Sequence, residues 1–171
     1  MTYIGIDPGI TGAVAVFNEG RRFVDFFDCP SYEEKTKTGI RRRMNVPACH
    51  KLLREIKGQW IERLDESLLT IEKVHAMVKN GSVPSFGLGY NYGVWVGLIE
   101  SSGIPYRFVS PQAWKKFMLP GEAKDKDSSR IVACRTFPCA AKELTLKKHH
   151  GRSDALLIGE YGRRLPNVPA E

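Results

Sequence analysis

Three acids and one histidine carry most of this chain's capacity for chemistry. Asp7 follows a short apolar run, Tyr3 to Ile6, and opens a tight turn, Pro8-Gly9-Ile10-Thr11-Gly12, ahead of a second apolar run from Ala13 to Phe17. A carboxylate at a strand end, followed at once by glycines, stands where a cation or a phosphate can reach it. Glu72 closes another apolar run, Leu68-Leu69-Thr70-Ile71, and Asp154 leads into Ala155-Leu156-Leu157-Ile158. His150 lies four residues before Asp154, so the two share a face if the last helix starts early enough; adjacent His149 competes for that place. Hard oxygen ligands with one imidazole suit Mg²⁺, or Mn²⁺ in its stead, which keep positions open for water and phosphate oxygens. Two such ions about 4 Å apart activate a water and stabilise the leaving oxygen of a phosphodiester. Plainer roles exist for each acid: Asp7 bonding its own turn, Glu72 as a strand-end surface charge, Asp154 as a helix-start charge favoured by the dipole.

The opening phrase alone fits two enzyme classes, metal-dependent nucleases of the ribonuclease H type and actin-like ATPases or sugar kinases. The latter need two related domains and a second phosphate-binding hairpin, which 171 residues without an internal repeat do not supply. Glu72 and Asp154 favour the metal.

At 171 residues, 42% hydrophobic and 26% charged, the chain has the make-up of one ordinary globular domain. We assign that domain to residues 1–165, with a short tail at 166–171. A net charge of +7 points to a polyanionic partner, nucleic acid first. Basic residues cluster at Lys35, Lys37, Arg41, Arg42 and Arg43, and again at Lys147, Lys148 and Arg152. Cys29, Cys49, Cys134 and Cys139 form no C-x-x-C pair and read as reduced thiols rather than a zinc site. No apolar run approaches the roughly 18 residues that span a membrane. No basic segment precedes the first hydrophobic stretch, so a signal peptide is not expected and a cytoplasmic or nucleoid-associated location is the default.

Apolar patterning predicts three opening strands at about Thr2–Asp7, Gly12–Asn18 and Arg21–Asp28, then a mobile basic loop from Pro30 to Arg43. Asn45 caps a predicted helix with Pro47 in its first turn. Leu68–Glu72 reads as a fourth strand and Pro105–Val109 as a fifth. Helices are expected up to about Ser102, at Pro111–Met118, at Asp125–Thr136 and at Gly151–Arg163. Asn80 to Gly93, rich in glycine and aromatics, reads as a loop. The order β-β-β-α-β-α-β-α-α-α implies an α/β fold of the ribonuclease H-like kind, a five-stranded mixed sheet with helices on both faces. With the first and fourth strands parallel neighbours, Asp7 and Glu72 leave the same carboxyl edge, where ligands bind in open α/β sheets.

With these phrases in hand, the chain resembles the RuvC family of Holliday junction resolvases, and within it the plant chloroplast-type resolvases and their bacterial and phage relatives. The resemblance rests on Gly5-Ile6-Asp7-Pro8-Gly9, Phe86-Gly87-Leu88-Gly89-Tyr90, Ser110-Pro111-Gln112-Ala113-Trp114-Lys115-Lys116 and His149-His150-Gly151-Arg152-Ser153-Asp154-Ala155. It implies a homodimeric endonuclease that nicks opposing strands of a four-way DNA junction symmetrically, using two Mg²⁺ or Mn²⁺ ions. The catalytic and metal-holding acids carry over to Asp7, Glu72 and Asp154, and the fourth position to His150. Many bacterial members place that fourth ligand three residues before the last Asp, which here is Gly151. The segment after Glu72, including Lys79 and Asn80, falls where the family has a junction-contacting loop.

For the DNA, Phe86 and Tyr90 are candidates to stack on an unpaired base, a contact of about 1–3 kcal/mol. Lys115, Lys116, Lys124, Lys126 and Arg130 are candidate phosphate contacts, as are Lys148 and Arg152, with Ser128 and Ser129 adding hydrogen bonds. The other readings are a different ribonuclease H-fold nuclease, acting on RNA:DNA hybrid or branched DNA, and a non-catalytic junction-binding module. Cleavage sequence, physiological metal, host process and the dimer interface lie beyond what these residues specify.

Overall fold

The computed structural model describes residues 1–37, 39–75, 81–121 and 126–165, with Lys126 as backbone only. The tail at 166–171 lies outside the described residues. Five strands form the main sheet: β1 (Thr2–Ile6), β2 (Ala13–Asn18), β3 (Val24–Asp28), β6 (Ser67–Glu72) and β7 (Tyr106–Val109). Their order is β3-β2-β1-β6-β7, with β1–β2 and β2–β3 antiparallel and β1–β6 and β6–β7 parallel. The register sets Ile6 beside Ile71, so Asp7 and Glu72 follow at neighbouring strand ends. The predicted mixed sheet and its parallel centre are both present.

Alternation along the strands supplies two cores. Tyr3, Ala13, Ala15 and Phe17 face one layer, where they meet α3 (Pro111–Met118), α4 (Lys126–Thr136) and α5 (His150–Arg164) through Trp114, Ala133 and Leu156. Ile4, Ile6, Val14 and Val16 face the other, against Leu53 and Ile56 of α1 (Val46–Trp60) and Trp95 and Ile99 of α2 (Ser82–Ser102). Both faces are covered, as a strand apolar on both sides requires. Asn45 caps α1, its Oδ1 accepting from Ala48 N at 3.1 Å, with proline in the first turn. Ser110 caps α3 in the same way, its hydroxyl accepting from Ala113 N at 3.2 Å.

Two expectations are corrected. The mobile loop expected from Pro30 to Arg43 is a hairpin instead, β4 (Ser31–Thr36) paired antiparallel with β5 (Gly39–Met44) as a separate two-stranded sheet. Opposite charges face each other across it, Glu33 with Arg42 and Glu34 with Arg41, and Arg43 Nε donates to Glu34 Oε2 at 2.8 Å. Cross-strand pairs of this kind stabilise a ladder without any apolar face, so hydrophobic patterning is blind to it. Asn45 N donates to Pro30 O at 2.8 Å and closes the hairpin's base.

The loop expected from Asn80 to Gly93 is the first half of α2, apart from Asn80, which lies outside the described residues. Pro84 sits in the first turn, where a missing N–H costs nothing. Asn91, Trp95 and Ile99 bury one stripe at four-residue spacing, and that burial outweighs the glycines' poor propensity. The helix ends at Gly103, whose φ of 69° is the left-handed conformation that favours glycine.

α5 lies directly on β1. A Cβ at Gly5 would stand 1.9 Å from Ala155 O, and one at Gly159 would stand 2.9 Å from Phe17 and 3.0 Å from Gly5 N. Leu156, Leu157 and Ile158 are fully buried beside this contact, each worth about 1.5–3 kcal/mol of burial. Gly5→Ala is therefore expected to cost about 1–3 kcal/mol or more through overpacking against backbone. Gly58→Ala, in α1 with open space around it, should gain about 0.5–1 kcal/mol. Urea unfolding of both variants beside the parent checks the pair.

Candidate active site

Asp7 is the first residue after β1. Its N–H donates to Ala13 O at 3.0 Å, Gly12 N donates to Gly9 O at 2.9 Å, and Gly9 N donates to Asp7 Oδ1 at 3.0 Å. The turn thus holds the carboxylate by its own backbone. Gly12 admits no side chain, since a Cβ there would stand 2.2 Å from Asp7 O. Glu72 is the last residue of β6, and its Oε2 accepts from Trp114 Nε1 of α3 at 2.6 Å. Asp154 is in the second turn of α5. Ser129 of α4 hydrogen-bonds its carboxyl, while Oδ1 is buried with no hydrogen-bond partner.

Asp7 feels the charges of both other acids, and Glu72 that of Asp154. Burial pushes Asp7 up to about 7; the Gly9 bond opposes this, and the charges of Asp154 and Glu72 add to it. Burial also raises Glu72, against the Trp114 bond and the charge of Lys115. Asp154 is raised by burial too, opposed by Ser129, Lys115 and His150. Lys115, exposed on α3, acts on all three. Glu160, farther along α5, makes the contrast. It is also buried, but Arg163 Nε at 2.8 Å, Arg164 Nε at 2.7 Å and Arg21 at 3.4 Å neutralise it, and its pKa falls. Asp154 has no such guanidinium among the described salt bridges.

The two histidines part. His150 exerts its charge on Asp154, and its Nδ1 lies 3.3 Å from Lys147 O. His149 turns toward Leu146 N, Asp28, Glu143 and Arg152; burial and the neighbouring Arg152 and Lys148 lower its pKa. Gly151, between His150 and Arg152, could not have held a ligand, because its Cβ would stand 2.4 Å from Thr11 O. The start of α5 rests on the Asp7 turn there.

Among the described residues, no group of three or more His, Cys, Asp and Glu side chains is arranged to hold a metal ion. The donor chemistry nevertheless fits a hard divalent cation: three partly buried carboxylates with raised pKa values and an orphaned buried oxygen, Asp154 Oδ1. A bound cation would oppose both the burial that chiefly lifts Asp7 and the like charges that add to it.

The expected DNA contacts divide. Phe86 is 77% exposed and Tyr90 51%, both on α2. With Tyr32, Arg42 and Arg43 of the hairpin and Gly9 to Thr11 of the Asp7 turn they line a groove of about 700 Å³. Lys115, Lys116 and Lys148 are exposed. The other described candidates are less open. Ser128 is 3% exposed and Ser129 is buried with its hydroxyl bonded to Asp154. Arg152 is committed to Asp28, at 2.7 and 2.9 Å, and to Glu143, tying the start of α5 to the end of β3. Arg130 is engaged by Asp127 at 3.1 Å and Thr145 O at 3.2 Å. Lys79, Asn80, Lys124 and the side chain of Lys126 lie outside the described residues. Trp114 was missed as a partner of Glu72; its phrase was visible, but 42 residues separate the two in sequence.

No family model matches the chain. It is 34% identical over 89 residues, 51% of its length, to the chloroplastic Holliday junction resolvase MOC1 of Chlamydomonas reinhardtii. The chain spans 10% of that relative's length. Thermus thermophilus RuvC in complex with a Holliday junction substrate superposes with a TM-score of 0.61 at 18% identity, covering 94% of this chain and 91% of RuvC. A second Thermus thermophilus RuvC structure gives 0.51 at 19% identity, covering 94% and 92%. The fold is thus the ribonuclease H-like fold in its RuvC form. In sequence as in fold, the chain resembles the RuvC-type Holliday junction resolvases.

The Asp7 shift has a consequence for the metal-free protein. An unfolded aspartate titrates near 4, so between about pH 4 and pH 7 the native state holds a proton that the unfolded state has lost. Asp7's contribution to stability therefore declines as pH rises through that window and is level above it. Asp7→Asn keeps an acceptor for Gly9 N and carries no charge. It should match the parent at pH 4 and exceed it by about 2–4 kcal/mol at pH 8 in the presence of a chelator, as urea unfolding at the two pH values will show.

Proposed function

We propose that this chain is a structure-specific DNA endonuclease that resolves four-way junctions by metal-assisted phosphodiester hydrolysis. What supports this reading is that Asp7, Glu72 and Asp154, from three separate elements, are partly buried with raised pKa values and that Asp7 feels the charges of the other two, on a sheet of RuvC form. The relative's name and the neighbour's bound substrate point to the same junction. Structural acids are normally paired, as Glu160 is; acids left with raised pKa values at a sheet's carboxyl edge belong to chemistry.

Asp7, Glu72 and Asp154 would hold the metal, with His150 as fourth ligand. Bound Mg²⁺ or Mn²⁺, two ions per site, offsets the phosphate's charge and lowers the pKa of a coordinated water. The chain's own residues set the stage. The Gly9–Gly12 turn leaves room beside Asp7 for a strand, and Lys115 adds a positive charge at the entrance. Phe86 and Tyr90 offer ring faces to an unstacked base. Lys116, Lys148 and the arginines of β5 attract the backbone without reading its sequence. Paired nicks in opposed strands call for two such sites about a two-fold axis, hence a homodimer, working where DNA junctions arise, in a bacterial or phage setting.

Cleavage of a synthetic four-way junction beside plain duplex, a branched duplex and an RNA:DNA hybrid, with Mg²⁺ or chelator, tests the reading. Symmetric nicks in the junction alone are expected, with metal only. Preference for the hybrid would make the chain another ribonuclease H-fold nuclease, and tight binding without cutting would make it a binding module. Asp7→Asn, Glu72→Gln and Asp154→Asn should each lose more cleavage than the about 100-fold typical of outer-shell changes, with junction binding retained. Phe86→Ala and Tyr90→Ala should weaken junction cleavage while leaving duplex binding nearly level. Junction affinity should fall steeply between low and moderate salt.

A further inference from the structure

Glu72 stands at a strand end on a side chain with several free torsions, yet one of its oxygens is held. Trp114 Nε1 donates to Oε2 at 2.6 Å, the short distance of a bond to a charged acceptor. The donor cannot swing. Trp114 is fully buried, and α3 is set at its start by the Ser110 cap and Pro111. Burial alone does not produce such a bond, because Trp95, equally buried, has an Nε1 with no hydrogen-bond partner.

The geometry points to Trp114 as the positioning residue for Glu72: its indole N–H holds Oε2 and presents Oε1 to the bound cation. This rests on the reading of Glu72 as a metal-holding acid. An indole is a donor with no charge and no acceptor site. It orients the carboxylate while leaving the full negative charge for the metal, whereas Lys or Arg in its place would form an ion pair that a divalent ion must break. The cation nearby is held apart from that role. Lys115, the next residue, lies with Nζ 5.2 Å from the centre of the Trp114 ring and is exposed to solvent. One short helix thus supplies a fixed neutral donor to the acid and, beside it, a solvent-exposed charge. Outer partners of metal-holding side chains typically matter by about 10- to 100-fold in metal affinity or activity.

Trp114→Phe keeps an aromatic ring at the buried position and removes the N–H donor along with part of the indole's volume. It should bind the four-way junction with unchanged Kd, cut it about 10- to 100-fold more slowly in single turnover, and need more Mg²⁺ for half its maximal rate. A solely structural tryptophan would lower thermal stability without moving the Mg²⁺ requirement. Independently of cleavage, the indole N–H resonance that Trp114→Phe removes from the ¹⁵N spectrum should shift in Glu72→Ala and respond to Mg²⁺ added to the parent protein alone. Parent-like cutting by Trp114→Phe at limiting Mg²⁺, or an indole resonance indifferent to Glu72→Ala, overturns the inference. Should Trp114→Phe fail to fold, the resonance is assigned by elimination from Trp60→Phe and Trp95→Phe, and its response decides. If the parent cuts no junction, the nuclease reading fails, while the indole's response to Glu72→Ala and to Mg²⁺ still decides the positioning role.

Discussion

Where α5 crosses β1, Gly5 and Gly159 approach so closely that a methyl group on either would overlap its neighbour. That contact sets the height of the helix above the sheet, and through it the reach of Asp154 toward Asp7. Gly151 repeats the device one helix turn before Asp154, where the start of α5 rests on Thr11 and Gly12. Leu156, Leu157 and Ile158 supply the burial that holds the helix down. These contacts lie on both sides of Asp154 along α5, so packing fixes where its carboxylate stands against the repulsion of like charges.

The same helix shows how burial and charge are reconciled in two opposite ways. Glu160 sits among three arginines and is stabilised as an anion. Asp154 receives one serine hydroxyl and the more distant fields of Lys115 and His150, and its pKa rises. A buried carboxylate without a strong partner is costly, and natural folds keep that cost mainly where function requires it. Asp7 bears the largest share, flanked by two other acids.

Much of this was legible without coordinates. Apolar runs ending in Asp7 and Glu72 marked parallel strand ends, and Asn45 and Pro111 marked helix starts that the fold reproduces. What failed did so for identifiable reasons. The β4–β5 hairpin is held by Glu34–Arg43 and its opposed charges, with no buried face to show up as hydrophobic alternation. The first half of α2 carries glycines that argue for a loop; only the burial of Asn91 in line with Trp95 and Ile99 makes it helix. Arg152 looked like a free cation because Asp28 lies 124 residues away in the chain.

Residue types and local order were enough to specify the strand-end acids, the strands that carry them and the basic clusters, because strand ends and caps are local properties. Tertiary structure alone decided which arginines are spent on ion pairs and that Trp114 holds Glu72. Those are contacts between residues far apart in sequence, and periodicity carries no information about which distant side chains will meet.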